Sequence, residues 1–273
     1  MGKTAAAGYT IIEVMIFLAI SGSMLAMATA SFGGRDADVR FSQSVRDFDS
    51  RLRDIMNDIS TGYYQTAGTI GCDVATSVGA RPVINYTTRP VGGLGTSEKC
   101  VFSGKILHFR YSASAPTSDF NIYDVVTRKY VESGALPSSL ETARPVIVAN
   151  SPAPNSLQSG LQVTKIATVG SPNLSLGAFG IFTDANKTSM VNGTSEVETT
   201  SVLALSNSTS NQPASGIEAL VSAIGGMTAQ TDATRVVVCL SDGDPTHKAS
   251  ITLGGNELST QVDFDAYNKT VCG

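Results

Sequence analysis

The sequence predicts an α+β protein: one long N-terminal helix packed on a mostly antiparallel, β-rich head. Three observations carry this. An apolar run, Val14 to Phe32, is long enough to cross a bilayer core as a helix. Phe41, Val45, Phe48, Leu52, Ile55 and Ile59 follow at alternating spacings of four and three, the stripe of one helical face. Beyond Gly62 the chain changes to short apolar stretches separated by Ser, Thr, Asn and Gly, the composition of strands and polar turns.

The helix is expected over residues 9–62, with 9–34 apolar and 35–62 amphipathic. Asp47 with Arg51, and Asp49 with Arg53, put an acid four residues ahead of a base on its solvent side. Thr61-Gly62 supplies the stop. A continuous helix of this span would measure about 80 Å at 1.5 Å per residue. A stripe of barely three heptads is too short to suggest an autonomous coiled coil.

Residues 63–273 form the expected head. Candidate strands are Arg81–Thr87, Val101–Tyr111, Phe120–Val131, Arg144–Ala149, Leu161–Val169, Gly177–Phe182, Thr199–Leu205, Thr234–Leu240, Lys248–Leu253 and Gln261–Phe264. Phe102, Ile106 and His108 alternate with Leu107, Phe109 and Tyr111, as the two faces of a sheet should. Gly104-Lys105 is expected to break that stretch into a bend or short hairpin. Ile217 to Ile224 reads as a short helix stopped by Gly225-Gly226. Only six charged residues lie between Pro145 and Thr231, yet the interspersed Val, Leu, Ile and Phe favour an ordered β insertion over a linker.

Composition narrows the chemistry. The chain has 273 residues, 42% of them hydrophobic, enough for a substantial core. A net charge of −4 and a pI near 5.2 give no basic surface for a phosphate backbone, so direct nucleic-acid binding is not favoured. The four cysteines, Cys72, Cys100, Cys239 and Cys272, form no CxxC pair, and the two histidines, His108 and His247, lie apart. No zinc-ligand spacing results. No Gly-x-Ser-x-Gly elbow surrounds a serine, which argues against a catalytic triad. Ser241-Asp242-Gly243-Asp244-Pro245 carries two carboxylates but lacks the later ligands of a calcium loop, and reads as a tight turn. No cofactor is implied.

Four cysteines allow three disulfide pairings. Cys72–Cys100 and Cys239–Cys272 are favoured because each closes a loop of about thirty residues, worth roughly 3–4 kcal/mol in the chain-entropy model. The other pairings, and free buried thiols, remain open on sequence alone.

The N-terminus holds the sharpest signal. Between Thr4 and Gly34 the only charged side chain is Glu13, with Lys3 ahead of the apolar run and Arg35 behind it. A carboxylate at the edge of a membrane helix costs a few kcal/mol unless something pairs with it. A cut after Gly8 would place a new amine on Tyr9, four residues before Glu13. In a stacked assembly that amine could neutralise the Glu13 of a neighbouring subunit.

The run Gly8-Tyr9-Thr10-Ile11-Ile12-Glu13-Val14-Met15 resembles the prepilin signal of type IV pilins and type II secretion pseudopilins. The resemblance covers residues 1 to about 60. It implies that residues 1–8 are a leader peptide, Gly8 the last leader residue, Tyr9 an N-methylated first mature residue and Glu13 the assembly glutamate. Gly22 falls where pilins often carry a helix-weakening glycine. Two positions depart from the pattern: Tyr9 replaces the usual Phe, and Ala30 stands where many pilins have Pro, with Gly33-Gly34 expected to loosen the helix instead. The segment from Thr234, bracketed by Cys239 and Cys272, loosely resembles the disulfide-bounded C-terminal region of pilins.

The resemblance implies a structural subunit, not an enzyme. Its partners would be other pilin subunits, a prepilin peptidase and an inner-membrane assembly platform. It would be a single-pass inner-membrane protein before assembly and part of an extracellular surface filament afterwards, serving adhesion, motility or DNA uptake. The length suggests a minor pilin. A type II secretion pseudopilin is the alternative within the family. Two others remain: Ala28-Thr29-Ala30 fits a secretory cleavage site, and a plain anchor could carry an unrelated binding or enzymatic head.

Overall fold

The computed structural model describes residues 9–61, 71–74, 80–85, 99–110, 115–131, 133–148, 153–173, 175–183, 200–205, 221, 235–254, 260–264 and 269–272. The N-terminal helix α1 spans Ile11–Ser60. The strands β1 (Gly71–Val74), β2 (Pro82–Asn85), β3 (Cys100–Phe109) and β4 (Asp119–Arg128) follow it. A single-turn helix α2 (Leu140–Ala143) precedes β5 (Val146–Ile147), β6 (Ala153–Ser156), β7 (Gln162–Thr168), β8 (Ala178–Thr183) and β9 (Thr200–Ala204). The chain continues through β10 (Val236–Ser241), β11 (Lys248–Leu253), β12 (Thr260–Asp263) and a last turn of helix, α3 (Lys269–Cys272). An apolar helix and a mostly antiparallel β body make this an α+β protein.

The chain divides into two compact units, Met1–Gln43 and Ser44–Gly273, and α1 contributes to both. It is unbroken through Gly22 and Gly33-Gly34, where loosening was expected. A helix-interior glycine costs about 1 kcal/mol against alanine but leaves the backbone ladder intact. At Gly22 a Cβ would meet nothing within 4 Å, so no packing demand explains that glycine.

In the second unit the stripe does what its spacing implies. Val45, Phe48, Leu52, Ile55 and Ile59 are all buried. Phe48 meets Phe109 edge-on at 6.3 Å and Phe120 at 5.9 Å, while Phe109 stacks on Phe120 at 4.9 Å. Burying each such ring contributes about 1.5–3 kcal/mol. Arg53 pairs with Asp49 at 3.0 Å as its spacing suggests. Arg51 does not pair as expected with Asp47; it donates to Asn155 Oδ1 and lies over the Phe120 ring, 5.4 Å from its centroid.

One sheet has the order β5-β4-β3-β8-β9, a second β12-β11-β10-β7, and β1 pairs with β2. β5 and β6 both pair with β4 on one side, β6 along Asp119–Ile122 and β5 along Val125–Val126. That side of the sheet is therefore two short pieces in tandem, the second containing Pro154.

The expected break at Gly104-Lys105 is not there. β3 runs through, and its register against β4 shifts between Phe102 and Gly104. Ser103 is the extra residue of this bulge; its hydroxyl donates to the Val125 carbonyl, and its own carbonyl accepts from Thr183 Oγ1 at 3.2 Å. Gly104 and Gly180 face Phe182, and a Cβ on Gly180 would lie 2.3 Å from its ring. Gly180 leaves room for that ring, and Gly104 for both the ring and the β8 backbone, whose Ile181 carbonyl oxygen would lie 2.2 Å from an added Cβ. Around the ring gather Ile106, Tyr123, Val125, Ile147, Ala178 and Leu205. Of the expected helix from Ile217 to Ile224 only Val221 is described; it is helical and buried, and the remainder lies outside the described residues.

Cys72 is bonded to Cys100, with Cα atoms 6.1 Å apart, and Cys239 to Cys272, at 5.7 Å. The first bond holds β1 to β3, beside the contacts of Cys72 and Ile84 with Val126 and Val148. The second fixes α3 to β10, over Ala167 and Val237, where Lys165 Nζ also donates to the Val271 carbonyl.

Beneath α1 the sheet buries charge. Lys105 and Asp124 are register partners on β3 and β4, 5% and 4% exposed, and Lys105 Nζ reaches Asp58 Oδ2 of α1 at 3.0 Å. Burial raises the Asp124 carboxyl to about 6, with Lys105 opposing the rise and Asp58 adding to it. A carboxyl raised in the folded state contributes stability that is fully present below its unfolded value, near 3.8, and is lost as pH rises through 6. The loss should total about 3 kcal/mol. Denaturant unfolding of wild type and Asp124→Asn between pH 4 and 7.5 checks this: the difference between them should change across that window, and a constant difference would refute it.

Candidate assembly site at the N-terminal helix

From Ile11 to Ala28 α1 has a mean hydropathy of 2.1 and none of it is buried within the protein. Among the described residues it is the one helix long and apolar enough to cross a membrane, as an anchor or a signal sequence would be. Ile11, Ile12, Met15, Phe17, Leu18, Met24 and Leu25 are exposed on all sides of the helix. A helix apolar all round calls for an apolar surrounding, lipid or other helices. Its hydroxyls are satisfied within the helix: Ser21 Oγ donates to the Phe17 carbonyl at 2.7 Å and Ser23 Oγ to the Ile20 carbonyl at 2.8 Å. Such internal bonding is what a lipid environment demands of polar groups.

Glu13 sits in the first turn. Its carboxylate accepts from the Thr10 backbone N–H at 3.3 Å and from Thr10 Oγ1 at 3.2 Å, while the Glu13 N–H donates to Thr10 Oγ1 at 3.4 Å. Thr10 is the N-cap and Glu13 the third helical residue, so the two close a capping box. The Thr-x-x-Glu spacing was there to be read in the sequence, where Glu13 draws attention only as an assembly residue. Its negative charge also stands at the positive end of the helix dipole. Tyr9, just before the cap, is 86% exposed. Gly8 and the leader lie outside the described residues.

The other sequence candidates do not converge on this helix. Ser241 to Pro245 lies in the β10–β11 connection. There Asp242 Oδ1 accepts from Asp244 N, Asp244 Oδ1 accepts from Thr246 N at 2.8 Å, and Gly243 takes a positive φ of 96°. The Thr246 bonds hold the Asp244 carboxyl below the usual range. Both aspartates thus serve the turn, and no cluster of metal-ligating side chains occurs among the described residues. His247 Nδ1 meets Asp242 Oδ2 at 2.7 Å; His108 is fully buried on the sheet, its ring 6.2 Å from that of Tyr123.

No protein family, curated protein or solved structure matches this chain.

Proposed function

We propose that this chain is a pilin-like structural subunit, a minor component of a surface filament, held in the inner membrane by α1 until assembly. The observation that carries the reading is a lone carboxylate, Glu13, in the first turn of the otherwise uncharged, unburied segment Ile11–Ala28 of α1, five residues after Gly8. Cleavage after Gly8 by a prepilin peptidase would free the Tyr9 amine. In the filament the apolar helices would bundle, and each Glu13 would meet the Tyr9 amine of a neighbour. A type II secretion pseudopilin would use the same parts. The head, stapled by two disulfides, suits an oxidising extracytoplasmic space.

A second reading is favoured by the capping box. There Glu13 serves only its own helix, and α1 is a passive anchor for a binding or enzymatic head.

Mass spectrometry of the membrane-resident protein tests the processing step. The mature chain should begin at Tyr9 and carry an N-methyl group. A chain starting at Ser31, or keeping Met1 to Gly8, would remove the proposal.

A further inference from the structure

The face of the first sheet turned away from α1 carries a polar groove where β3, β4 and β6 lie side by side. Phe109 and Phe120 are register partners whose rings point toward Phe48 of α1. Side chains alternate along a strand, so Asp119 and Asn121, on either side of Phe120, point the other way. Their register partners on β6, Ser156 and Pro154, share that face. Arg110, the residue after Phe109, continues the β3 ladder and comes opposite Asp119 from the other flank. Three adjacent strands thus bring Arg110, Asp119, Asn121, Pro154 and Ser156 to one patch. All five, with Thr117, line a groove of about 670 Å³. That volume lies within the roughly 300–1,000 Å³ of small-molecule sites.

The polar groups of this groove are braced but not used up. Tyr123, two residues beyond Asn121 on the same face, is buried. Burial raises its phenol above the ordinary value, while a hydrogen bond with the Asn121 side chain and the Arg110 charge oppose the rise. Asp119 accepts from Ser118 Oγ at 3.4 Å. Among the described residues neither Asp119 nor Arg110 forms an ion pair, and both are exposed. Opposite charges sharing one groove select against simple ions. A bound anion would meet the Asp119 carboxylate, and a bound cation the Arg110 guanidinium. A neutral ligand dense in hydroxyls avoids both conflicts. Each hydroxyl donates and accepts, which suits a carboxylate, a guanidinium and an amide side by side. Carboxylate and guanidinium are planar forks that can each engage two neighbouring oxygens at once. Adjacent hydroxyls of that kind are what a sugar ring presents.

We infer that this groove is a binding site for a neutral saccharide, with Arg110, Asp119 and Asn121 holding adjacent ring hydroxyls. The site lies wholly in the head, so it stands or falls independently of the role given to α1.

The test uses the full-length protein in lauryldimethylamine oxide, a detergent whose headgroup is not a sugar. The probes are the methyl pyranosides of glucose, galactose, mannose and N-acetylglucosamine, with glycine and inorganic phosphate as charged comparators. Saturation-transfer NMR of wild type should show saturable binding of at least one glycoside and none of glycine or phosphate. Asp119→Ala and Arg110→Ala should each weaken that binding about tenfold or more. Both side chains are exposed, so the thermal midpoints of these variants should stay near that of wild type. Asp119→Asn keeps the shape of the side chain and removes its charge; it reads the same contact should alanine disturb the strand, and should also weaken binding. Lys248→Ala, an exposed charge on β11 outside the groove, should leave binding unchanged. No saturable binding of any of the four glycosides, binding undiminished in Asp119→Asn and both alanine variants, or binding of glycine or phosphate in place of the glycosides overturns the site.

Discussion

Under the proposed assembly role, Glu13→Val should leave the protein in the membrane and remove it from the filament. Valine makes the span more apolar, so insertion is unharmed or improved. Two things are lost. The Thr10 cap loses its carboxylate partner, a cost of about 1 kcal/mol. If the chain assembles as proposed, the Tyr9 amine of a neighbour would lose its counter-charge in a low-dielectric bundle, a cost of about 3–5 kcal/mol. The second term is the larger and sets the outcome. Glu13→Gln separates the two, because a glutamine oxygen can close the capping box but cannot neutralise an amine. Immunoblots of sheared surface fractions and of membranes read both variants. Under the assembly role Gln fails nearly as badly as Val. If Gln is incorporated like wild type, Glu13 is a helix cap and the charge-pairing role is wrong.

Gly104→Ala should unfold or severely loosen the head. An added Cβ would stand 2.2 Å from the Ile181 carbonyl oxygen and 2.9 Å from the Phe182 Cα, both backbone atoms of β8. No rotamer change relieves a clash with backbone, so β8 must move away from β3 and strain its ladder. A loss of about 3 kcal/mol or more is expected. Gly180→Ala differs in kind, since its Cβ meets only the ring of Phe182, at 2.3 Å. Adding Phe182→Leu should therefore recover part of the stability of Gly180→Ala and little of that of Gly104→Ala. Urea unfolding midpoints of the four variants decide it; equal recovery in both backgrounds would show that the backbone contact is not the obstacle.

What the sequence makes legible follows from how local the signal is. The stripe from Val45 to Ile59 and the alternation along β3 each repeat over several residues, so their elements stand within a residue or two of the expected bounds. Lys248–Leu253 coincides with β11. β1 and β6 are too short to show a period, and β6 holds a proline, a residue that argues against a strand unless it lies at an edge. Gly104 looks like a breaker in sequence because its reason, the approach of β8, lies more than seventy residues away. The buried Lys105 is illegible for the same cause: its partners are on α1 and β4. At the candidate site the composition of the span and the oddity of Glu13 are plain in the sequence. The local use of that carboxylate, as half of a cap, emerges only when Thr10 is seen turned toward it.

The tandem arrangement of β5 and β6 along β4 bears on how such molecules could be stored. Proteins anchored in one membrane meet at far higher effective concentration than the same proteins in dilute solution. A long, straight strand left open on each would invite backbone zippering and aggregation. Here that flank is divided into runs of two and four residues. Pro154 removes one amide donor from the longer run. If α1 anchors the chain in a membrane as proposed, a crowded pool would resist zippering along this flank, and association there would be left to side chains, which can be specific, instead of to backbone, which cannot.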